Sequence, residues 1–310
     1  MNKIHPKEIY IEIAGAISHK NTLKLLLRNY KEFNLAVYDS AEYCAWNGGR
    51  VNNDNKLDDS TIDYFNKNDI GFSIAFTNFE IDLNDSIGNK ILKQLNNNQK
   101  NAIIITNDSL NTYIKNNFKY KRICSITKHP SDITINKSLI DYYKKLEFEY
   151  DYIVPRFEMS LNPDFYNKIT PSKYMIMIND TCSYGCKLFR EHFAAVSKLN
   201  RECSGKNPWK VVGFDEAFRI HDCWLPHFDP NKGSEKDRSK YGDLLGMDLN
   251  EVQIYKCLKI GYRSFKIMGR EICNEQEFEW NIKTFLNRIK LAVNNFNANL
   301  SISKQENFRL

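Results

Sequence analysis

The sequence lacks the features of two large classes of protein. No window approaches the roughly 18 uncharged apolar residues that a membrane span needs, so we expect no membrane span. The first residues, MNKIHPKEIY, contain no apolar stretch of the kind found in signal peptides. We therefore expect a soluble protein of the cytoplasm.

Common catalytic motifs are also missing. The chain contains no GxSxG nucleophile elbow, no HExxH zinc motif and no glycine-lysine phosphate loop, so these hydrolase and P-loop classes have no support. Long blocks of like charge are absent as well. The net charge of +6, from 44 basic and 38 acidic residues, weakly favours a small anionic substrate, a nucleotide or RNA as partner.

Short apolar runs are what the chain does contain. They recur eight times with helical patterns between most of them, which is typical of repeated βα units around a parallel sheet. Linkers rich in Pro or Gly are lacking, and 310 residues fit one α/β barrel. We therefore predict an α/β fold, a single (β/α)8 TIM-like barrel over residues 1–298 with a loose tail at 299–310. The predicted strands are Tyr10–Ile17, Leu35–Tyr38, Gly71–Phe76, Ala102–Ile105, Arg122–Ile126, Tyr152–Pro155, Tyr174–Ile178 and Ser264–Ile267.

One region does not fit this repeat. Residues 201–248 hold no convincing crossover helix but include two short apolar runs, Trp209–Phe214 and Cys223–Leu225. We predict an insertion over the barrel mouth, and the alternative is that one of these runs is a barrel strand. Glu275–Phe296 is long and apolar enough to be the closing helix.

Eight cysteines need an explanation, because the reducing cytoplasm disfavours a disulfide framework. Cys182 and Cys186 follow the seventh strand, at the start of a helix predicted over Lys187–Leu199, and a helix N-terminus favours the thiolate that binds metal. With Cys203 and Cys223 they form C-x3-C-x16-C-x19-C. Four thiolates suit an iron–sulfur cluster, and four sulfur or nitrogen ligands suit structural zinc.

The identity of the metal and of the fourth ligand stays open. A Cys3His zinc site is the alternative to a cluster, because His221 and His227 lie on either side of Cys223. Cys257 is the reserve candidate for the fourth ligand. The cysteines expected to serve as packing residues are Cys44, Cys124, Cys257 and Cys273.

Polar residues follow several predicted strands, where the active sites of barrels lie. Arg50, in WNGGR, stands beside two glycines that let backbone N–H groups approach an anion while the guanidinium binds it. Arg270 follows the eighth strand, and we predict that both arginines bind a carboxylate or phosphate. The other predicted substrate-binding residues are Asn78, Arg156 and Asn179. The candidates for acid–base catalysis are Asp180, Glu191 and His192.

Three segments together resemble the collagenase-like peptidase U-32 family. They are WNGGR (46–50), the stretch from NDTC to REH (179–192) and FKIMGR (265–270), and the resemblance spans most of residues 8–290. It implies a TIM-like barrel that binds a [4Fe–4S] cluster. The ligands carried over are Cys182, Cys186, Cys203 and, with the spacing departing from the family's, Cys223.

The resemblance also implies an activity. The family's name records a peptidase, but several members are similar to oxygen-independent hydroxylation factors that act on RNA bases or quinone precursors. We therefore expect an iron–sulfur oxidoreductase that hydroxylates an anionic aromatic or nucleobase-containing substrate, served by an electron donor or a partner subunit. Two alternatives remain: a metal-dependent peptidase or hydrolase on the same barrel, and a non-catalytic binding protein stapled by zinc.

Overall fold

The structure, a computed structural model, describes residues 2–41, 44–48, 56–95, 98–180, 186, 188–203, 248–269, 272 and 274–306, with side chains up to residue 299. Within this part of the chain, eight β-strands alternate with helices. The strands are β1 (Tyr10–Ala14), β2 (Asn34–Asp39), β3 (Gly71–Phe76), β4 (Ala102–Ile105), β5 (Lys121–Cys124), β6 (Tyr152–Ile153), β7 (Met175–Met177) and β8 (Ser264–Ile267).

The strands form a nearly closed parallel barrel. Their order is β6-β5-β4-β3-β2-β1-β8-β7, so β1 pairs with both β2 and β8. A parallel bridge between Ile153 and Tyr174, the residue before β7, joins the two ends of the sheet. The predicted (β/α)8 TIM-like barrel is confirmed, and all eight predicted strands are present.

Several α-helices between the strands begin where the sequence supplies a side-chain cap. The side chains of Asp58, Asp85, Asn107 and Asn136 each accept a backbone N–H of the helix that follows, which satisfies a donor that the first turn leaves unpaired. The helices are α1 (Lys20–Leu26), α2 (Asp59–Lys67), α3 (Ser86–Gln94), α4 (Asp108–Asn117), α5 (Lys137–Glu149), α6 (Pro163–Tyr166), α7 (Phe189–Glu202), α8 (Glu251–Ile260) and α9 (Glu275–Glu306).

Strand alternation divides the core into two regions. On β1, Ile11 and Ile13 point outward and belong to the large core between strands and helices. Tyr10 and Ala14 point inward and belong to a smaller cluster inside the barrel. Four members of the inner cluster are alanines, which leaves room above the barrel floor: Ala14, Ala36, Ala75 and Ala102.

Two regions differ from the predicted organisation or fall outside the structure. Most of the predicted insertion, 204–247, lies outside the described residues. The closing helix α9 is longer than predicted, because it continues to Glu306 through residues that we expected to be a loose tail. In the part of the chain that the structure describes, no helix is both long and apolar enough to cross a membrane.

Candidate active site at the barrel mouth

The helix α7 lies over the C-terminal mouth of the barrel, and we call it the cap helix. In its first turn, the Arg190 backbone N–H donates to Ser131 Oγ, 2.8 Å away, in the loop after β5. In its last turns, the Ser197 carbonyl accepts from Asn78 Nδ2, at 2.9 Å, in the loop after β3. The helix is therefore tied at one end to the loop after β5 and near its other end to the loop after β3, two strands that have β4 between them.

The sequence of the cap helix suits this position. One face is buried and includes Phe189, Val196 and Asn200, while Arg190 and Lys198 are exposed. Asn200 Nδ2 donates to the Asn47 carbonyl at 2.5 Å, whereas Asn200 Oδ1 is buried and has no hydrogen-bond partner among the described residues. An amphipathic helix of this kind can cover an opening with its apolar face.

Beneath the cap helix, the mouth holds a cavity with about 640 Å³ of empty space, counting the part open to solvent. Most of its lining is apolar, and Phe189 and Phe193 of the cap helix contribute two aromatic rings. The other apolar lining residues are Tyr38, Ala75, Ile104, Ile126, Val154, Met177 and Met268. The polar side chains of the lining are Thr77, Ser125, Thr127, Asp180 and Lys266. A mostly apolar cavity with few polar groups is typical of a small-molecule site.

A buried ion pair lies at the floor of this cavity. Glu12 on β1 and Lys266 on β8 stand opposite each other in the strand register, and Glu12 Oε2 contacts Lys266 Nζ. Their side chains are 0% and 6% exposed. Lys266 Nζ also lies 3.3 Å from the centroid of the Tyr38 ring, a cation–π contact. The pair places one cation in contact with the cavity and one carboxylate beneath it.

Glu12 keeps unused hydrogen-bonding capacity. Among the described residues, its second oxygen, Oε1, has no hydrogen-bond partner although it is fully buried. An unsatisfied buried carboxylate oxygen costs free energy, so its presence in a native fold calls for an explanation. Oε1 of Glu12 can thus accept a further hydrogen bond.

The predicted catalytic residues are not brought together by the cap helix. Asp180 lines the cavity. Glu191 is exposed and accepts a hydrogen bond from Ser131 Oγ in the loop after β5. His192 is buried, with its ring stacked on Phe193 at 5.8 Å, and is not part of the cavity lining. Of the three, Asp180 alone has access to a ligand in the cavity.

Arg156 is fully buried and paired within the protein. Its guanidinium forms two hydrogen bonds to the Glu158 carboxylate, at 2.5 and 3.2 Å, and stacks on Phe189 with 3.9 Å between Cζ and the ring centroid. It also donates to the Cys186 carbonyl at 3.5 Å. The structure therefore gives Arg156 the geometry of an anchor for the start of the cap helix.

Two predicted substrate-binding asparagines make hydrogen bonds to the backbone. Asn78 Nδ2 donates to the carbonyls of Asn47 and Ser197, each at 2.9 Å, and so joins two loops to the cap helix. Asn179 pairs with the Met268 backbone through both ends of its amide, at 3.0 and 2.7 Å. Both side chains are thereby occupied in holding the mouth together. Arg50 and Arg270 lie outside the described residues, so their predicted role stays a prediction.

The close packing of two backbone segments explains Gly48, the first glycine of WNGGR. A Cβ atom on Gly48 would lie 2.2 Å from the Thr77 carbonyl oxygen, so the backbone approach requires glycine. Thr77 Oγ1 donates to the Gly48 carbonyl at 2.8 Å. The adjacent Trp46 is buried, and its indole N–H donates to the Asp82 carbonyl at 2.8 Å. This loop is fixed against the end of β3 and forms part of the cavity wall.

His129 ties the loop after β5 to the end of β6. Its Nε2 lies 2.7 Å from the Val154 carbonyl and donates to it, because that oxygen can only accept. Complete burial lowers the pKa of His129 to about 3, so the imidazole is neutral at physiological pH. The neutral ring positions Val154, which lines the cavity.

The two predicted cysteine ligands that the structure describes lie at opposite ends of the cap helix. Cys186 precedes the cap helix and Cys203 follows it. From Leu188 to Cys203 the chain advances 15 residues along the helix, which is about 22 Å. The two residues from Cys186 to Leu188 can shorten the separation of Cys186 from Cys203 by at most about 8 Å. Their Cα atoms are therefore at least about 14 Å apart, which is more than two cysteine side chains with a zinc ion or a compact cluster between them can span. The cap helix thus separates Cys186 from Cys203, and the set of metal ligands stays a prediction.

Of the other cysteines considered in the sequence analysis, some are buried and some lie outside the described residues. Cys182 and Cys223 lie outside the described residues. Cys257, the reserve ligand, is fully buried on α8, and burial raises the pKa of its thiol to about 12, which disfavours the thiolate. Burial likewise raises the pKa of Cys44 to about 12. Within the described ranges, no three Cys, His, Asp or Glu side chains form a group that could hold a metal ion.

Sequence reasoning overlooked Lys266. Lys266 lies within FKIMGR, but no role was predicted for it. The signal was present, because each residue is a charge within an otherwise apolar strand, YIEIA and SFKI. A charge at an inward position of a barrel strand needs a partner or a ligand.

Comparisons with known proteins identify no family for the chain. No family model matches it. No curated protein matches it either. Among solved structures, it is similar to one described as the structure of the U32 peptidase Mk0906, with a TM-score of 0.47 and 8% sequence identity, over 87% of this chain and 96% of that chain. The barrel itself is established by the strand order.

Proposed function

We propose that the chain is an enzyme and that the barrel-mouth cavity is its active site for a small molecule with a flat, largely apolar body and one ionisable oxygen. The observation that carries the proposal is the buried Glu12–Lys266 pair at the cavity floor. The apolar walls and the rings of Phe189 and Phe193 suit the body of such a ligand. The Lys266 ammonium suits its oxygen.

The pair supports proton transfer without creating an isolated charge. Lys266 passes a proton to Glu12 and takes one from the substrate, so that Glu12 ends neutral, Lys266 ends positive and the substrate oxygen ends negative. The oxyanion then pairs with the Lys266 ammonium in a cavity of low polarity, where such pairing is strong. A phenol, an enol or a carbonyl compound with an acidic neighbouring C–H fits this requirement.

A methionine-methyl NMR titration tests this site. Phenol added to protein labelled at the methionine methyl groups should shift the signals of Met177 and Met268, which line the cavity. The signal of Met159, buried in the outer core, should not move. Shifts confined to residues outside the cavity, or no shifts, would rule out this location.

A second candidate is the iron–sulfur hydroxylase that the family resemblance implies. Its support is the position of Cys186, half-buried beside Phe157 and Phe189 at the mouth. The described thiols do not fit a shared cluster, so such a cluster would use Cys186 with Cys182 and Cys223 and without Cys203. The cluster would carry electrons or bind an oxygen-bearing group. The proton transfer at Lys266 does not depend on it.

Elemental analysis tests this candidate. Protein purified without oxygen should contain iron and acid-labile sulfide in similar amounts if the proposal holds, because thiolates from cysteine hold such clusters. Stoichiometric zinc without iron would favour the zinc-stapled binding protein or a metal-dependent hydrolase instead.

A further inference from the structure

A second opening, the outer cleft, lies beside the mouth cavity. It is bounded by the ends of β3, β4 and β5, by α5 and by the first turn of the cap helix, and holds about 660 Å³ of empty space, counting its open side. Its lining combines two aromatic rings, three cations and two carboxylates: Phe79, Tyr142, Lys128, Lys145, Arg190, Asp108 and Glu149. This mixture differs from the apolar mouth cavity.

Two of the three cations already have acidic partners. Lys128 Nζ lies 2.6 Å from Asp108 Oδ1 and 2.9 Å from the Thr106 carbonyl, and its side chain is only 11% exposed. Lys145 pairs with Glu149 at 3.6 Å on the surface of α5. Lys128 is therefore a largely buried positive charge in the cleft wall, whereas the Lys145 side chain is mostly exposed.

Arg190 is the third cation, and its guanidinium has N–H donors available for a ligand. Among the described residues, no carboxylate forms an ion pair with its guanidinium, which lies 5.7 Å from the centroid of the Phe79 ring. Its backbone is held, because its N–H donates to Ser131 Oγ at 2.8 Å. An arginine with a fixed backbone and unused N–H donors is suited to bind two oxygens of one anion at once.

A single layer of hydroxyl groups separates the two openings. Thr106, which lines the outer cleft, shares a 2.7 Å hydrogen bond with Thr127, which lines the mouth cavity. Thr127 in turn shares a 2.9 Å hydrogen bond with Ser125. The outer cleft is thus a distinct site next to the cavity rather than a branch of it.

We propose that the outer cleft binds a phosphate ester carried on a flat ring. Arg190 and Lys128 bind the phosphate oxygens, and the rings of Phe79 and Tyr142 contact the planar part of the ligand. The carboxylates of Asp108 and Glu149 do not oppose this, because each is already paired with a lysine. The proposal rests on the residues of this cleft and not on the reaction at Lys266.

Titration with phenyl phosphate tests the site. The full chain should bind phenyl phosphate more tightly than inorganic phosphate, because the rings add contact. Arg190→Gln should weaken binding about 10-fold or more, since it removes a charge-assisted pair, and Arg190→Lys should weaken it less. Lys198→Gln, at the exposed far end of the same helix, should bind as the wild type does and serves as the matched control.

Location is tested by a variant of the mouth cavity. Glu12→Leu/Lys266→Met should retain phenyl phosphate binding, because neither residue lines the outer cleft. If binding is lost in that variant, the ligand sits in the mouth cavity and the outer-cleft proposal is wrong. No binding to the wild type, or equal binding by Arg190→Gln, would also overturn it.

Discussion

Glu12 and Lys266 are 254 residues apart in the chain and meet inside the barrel, because β1 and β8 are neighbours and the two residues share one position in the register. Both side chains are removed from solvent, and both point into the interior rather than toward the helices. The fold thereby places an acid and a base at the floor of its open end. The proposed chemistry follows from this pair.

The pair should reveal itself in a double-mutant cycle of stability. Glu12→Leu leaves the Lys266 charge buried without its partner and should lower the free energy of unfolding by roughly 3 to 5 kcal/mol. Glu12→Leu/Lys266→Met removes both charges and should recover at least about 2 kcal/mol of that loss. Urea unfolding measures both. Additive effects of the two single changes would mean that the residues do not interact.

Much of the barrel was predictable because parallel strands covered on both sides are short, continuous apolar runs. Ala102–Ile105 and Ser264–Ile267 were predicted with the bounds that the structure shows. No local sequence pattern predicts the strand order or the closure between β6 and β7, because both depend on contacts between residues far apart in the chain. The same holds for the pairing of Glu12 with Lys266.

The predicted metal site shows what residue spacing alone leaves open. C-x16-C is compatible with two ligands of one centre only if the intervening chain folds back. Here a straight helix of 14 residues occupies that interval and keeps Cys186 and Cys203 apart. Likewise, Asn78 and Arg156 follow strands as substrate-binding residues would, but their partners are carbonyls and a carboxylate of the protein. Only tertiary contacts distinguish the two roles.

The loop around Gly48 should tolerate no side chain. Gly48→Ala places a methyl group against the Thr77 backbone and should lower the free energy of unfolding by about 2 kcal/mol or more, because the backbone must shift. Thr77→Val removes only the hydrogen bond to the Gly48 carbonyl and should cost about 1 kcal/mol. Thermal or urea unfolding compares the two. A cost for Gly48→Ala below that for Thr77→Val would contradict the close approach.

Stability should depend on pH through His129. The pKa of His129 is about 3 in the folded chain against 6.5 when unperturbed, because burial disfavours the charged ring. Between these values the unfolded chain binds a proton that the folded chain does not. Its contribution to the free energy of unfolding should therefore fall as pH falls, by about 2 kcal/mol from pH 6.5 to 4.5.

A non-titrating variant isolates this contribution. His129→Gln keeps a donor for the Val154 carbonyl but cannot gain a proton in this range. Its unfolding free energy should therefore change less between pH 6.5 and 4.5 than that of the wild type. An unchanged pH dependence would show that His129 is not buried as a neutral ring.

Cys186 and Cys203, at opposite ends of the cap helix, should differ in their effect on iron content if the chain holds iron. Cys186→Ser should lose iron, because serine is a poor substitute for a thiolate ligand, whereas Cys203→Ser should keep it. Iron content measured after purification without oxygen distinguishes the variants, with circular dichroism to confirm folding. Loss of iron from both folded variants would contradict the separation of these residues by the cap helix.

The most direct measurement of the central claim is the ionisation of 4-nitrophenol bound to the protein, followed by the absorbance of its phenolate. We predict that the wild type binds the probe and lowers its pKa below the value in water, since Glu12 takes up the proton and Lys266 stabilises the oxyanion. Glu12→Leu/Lys266→Met should remove this shift, and 4-nitroanisole, which has no proton to give, should show no change. A probe that stays neutral on the wild type, or ionises equally on the double variant, would contradict the account.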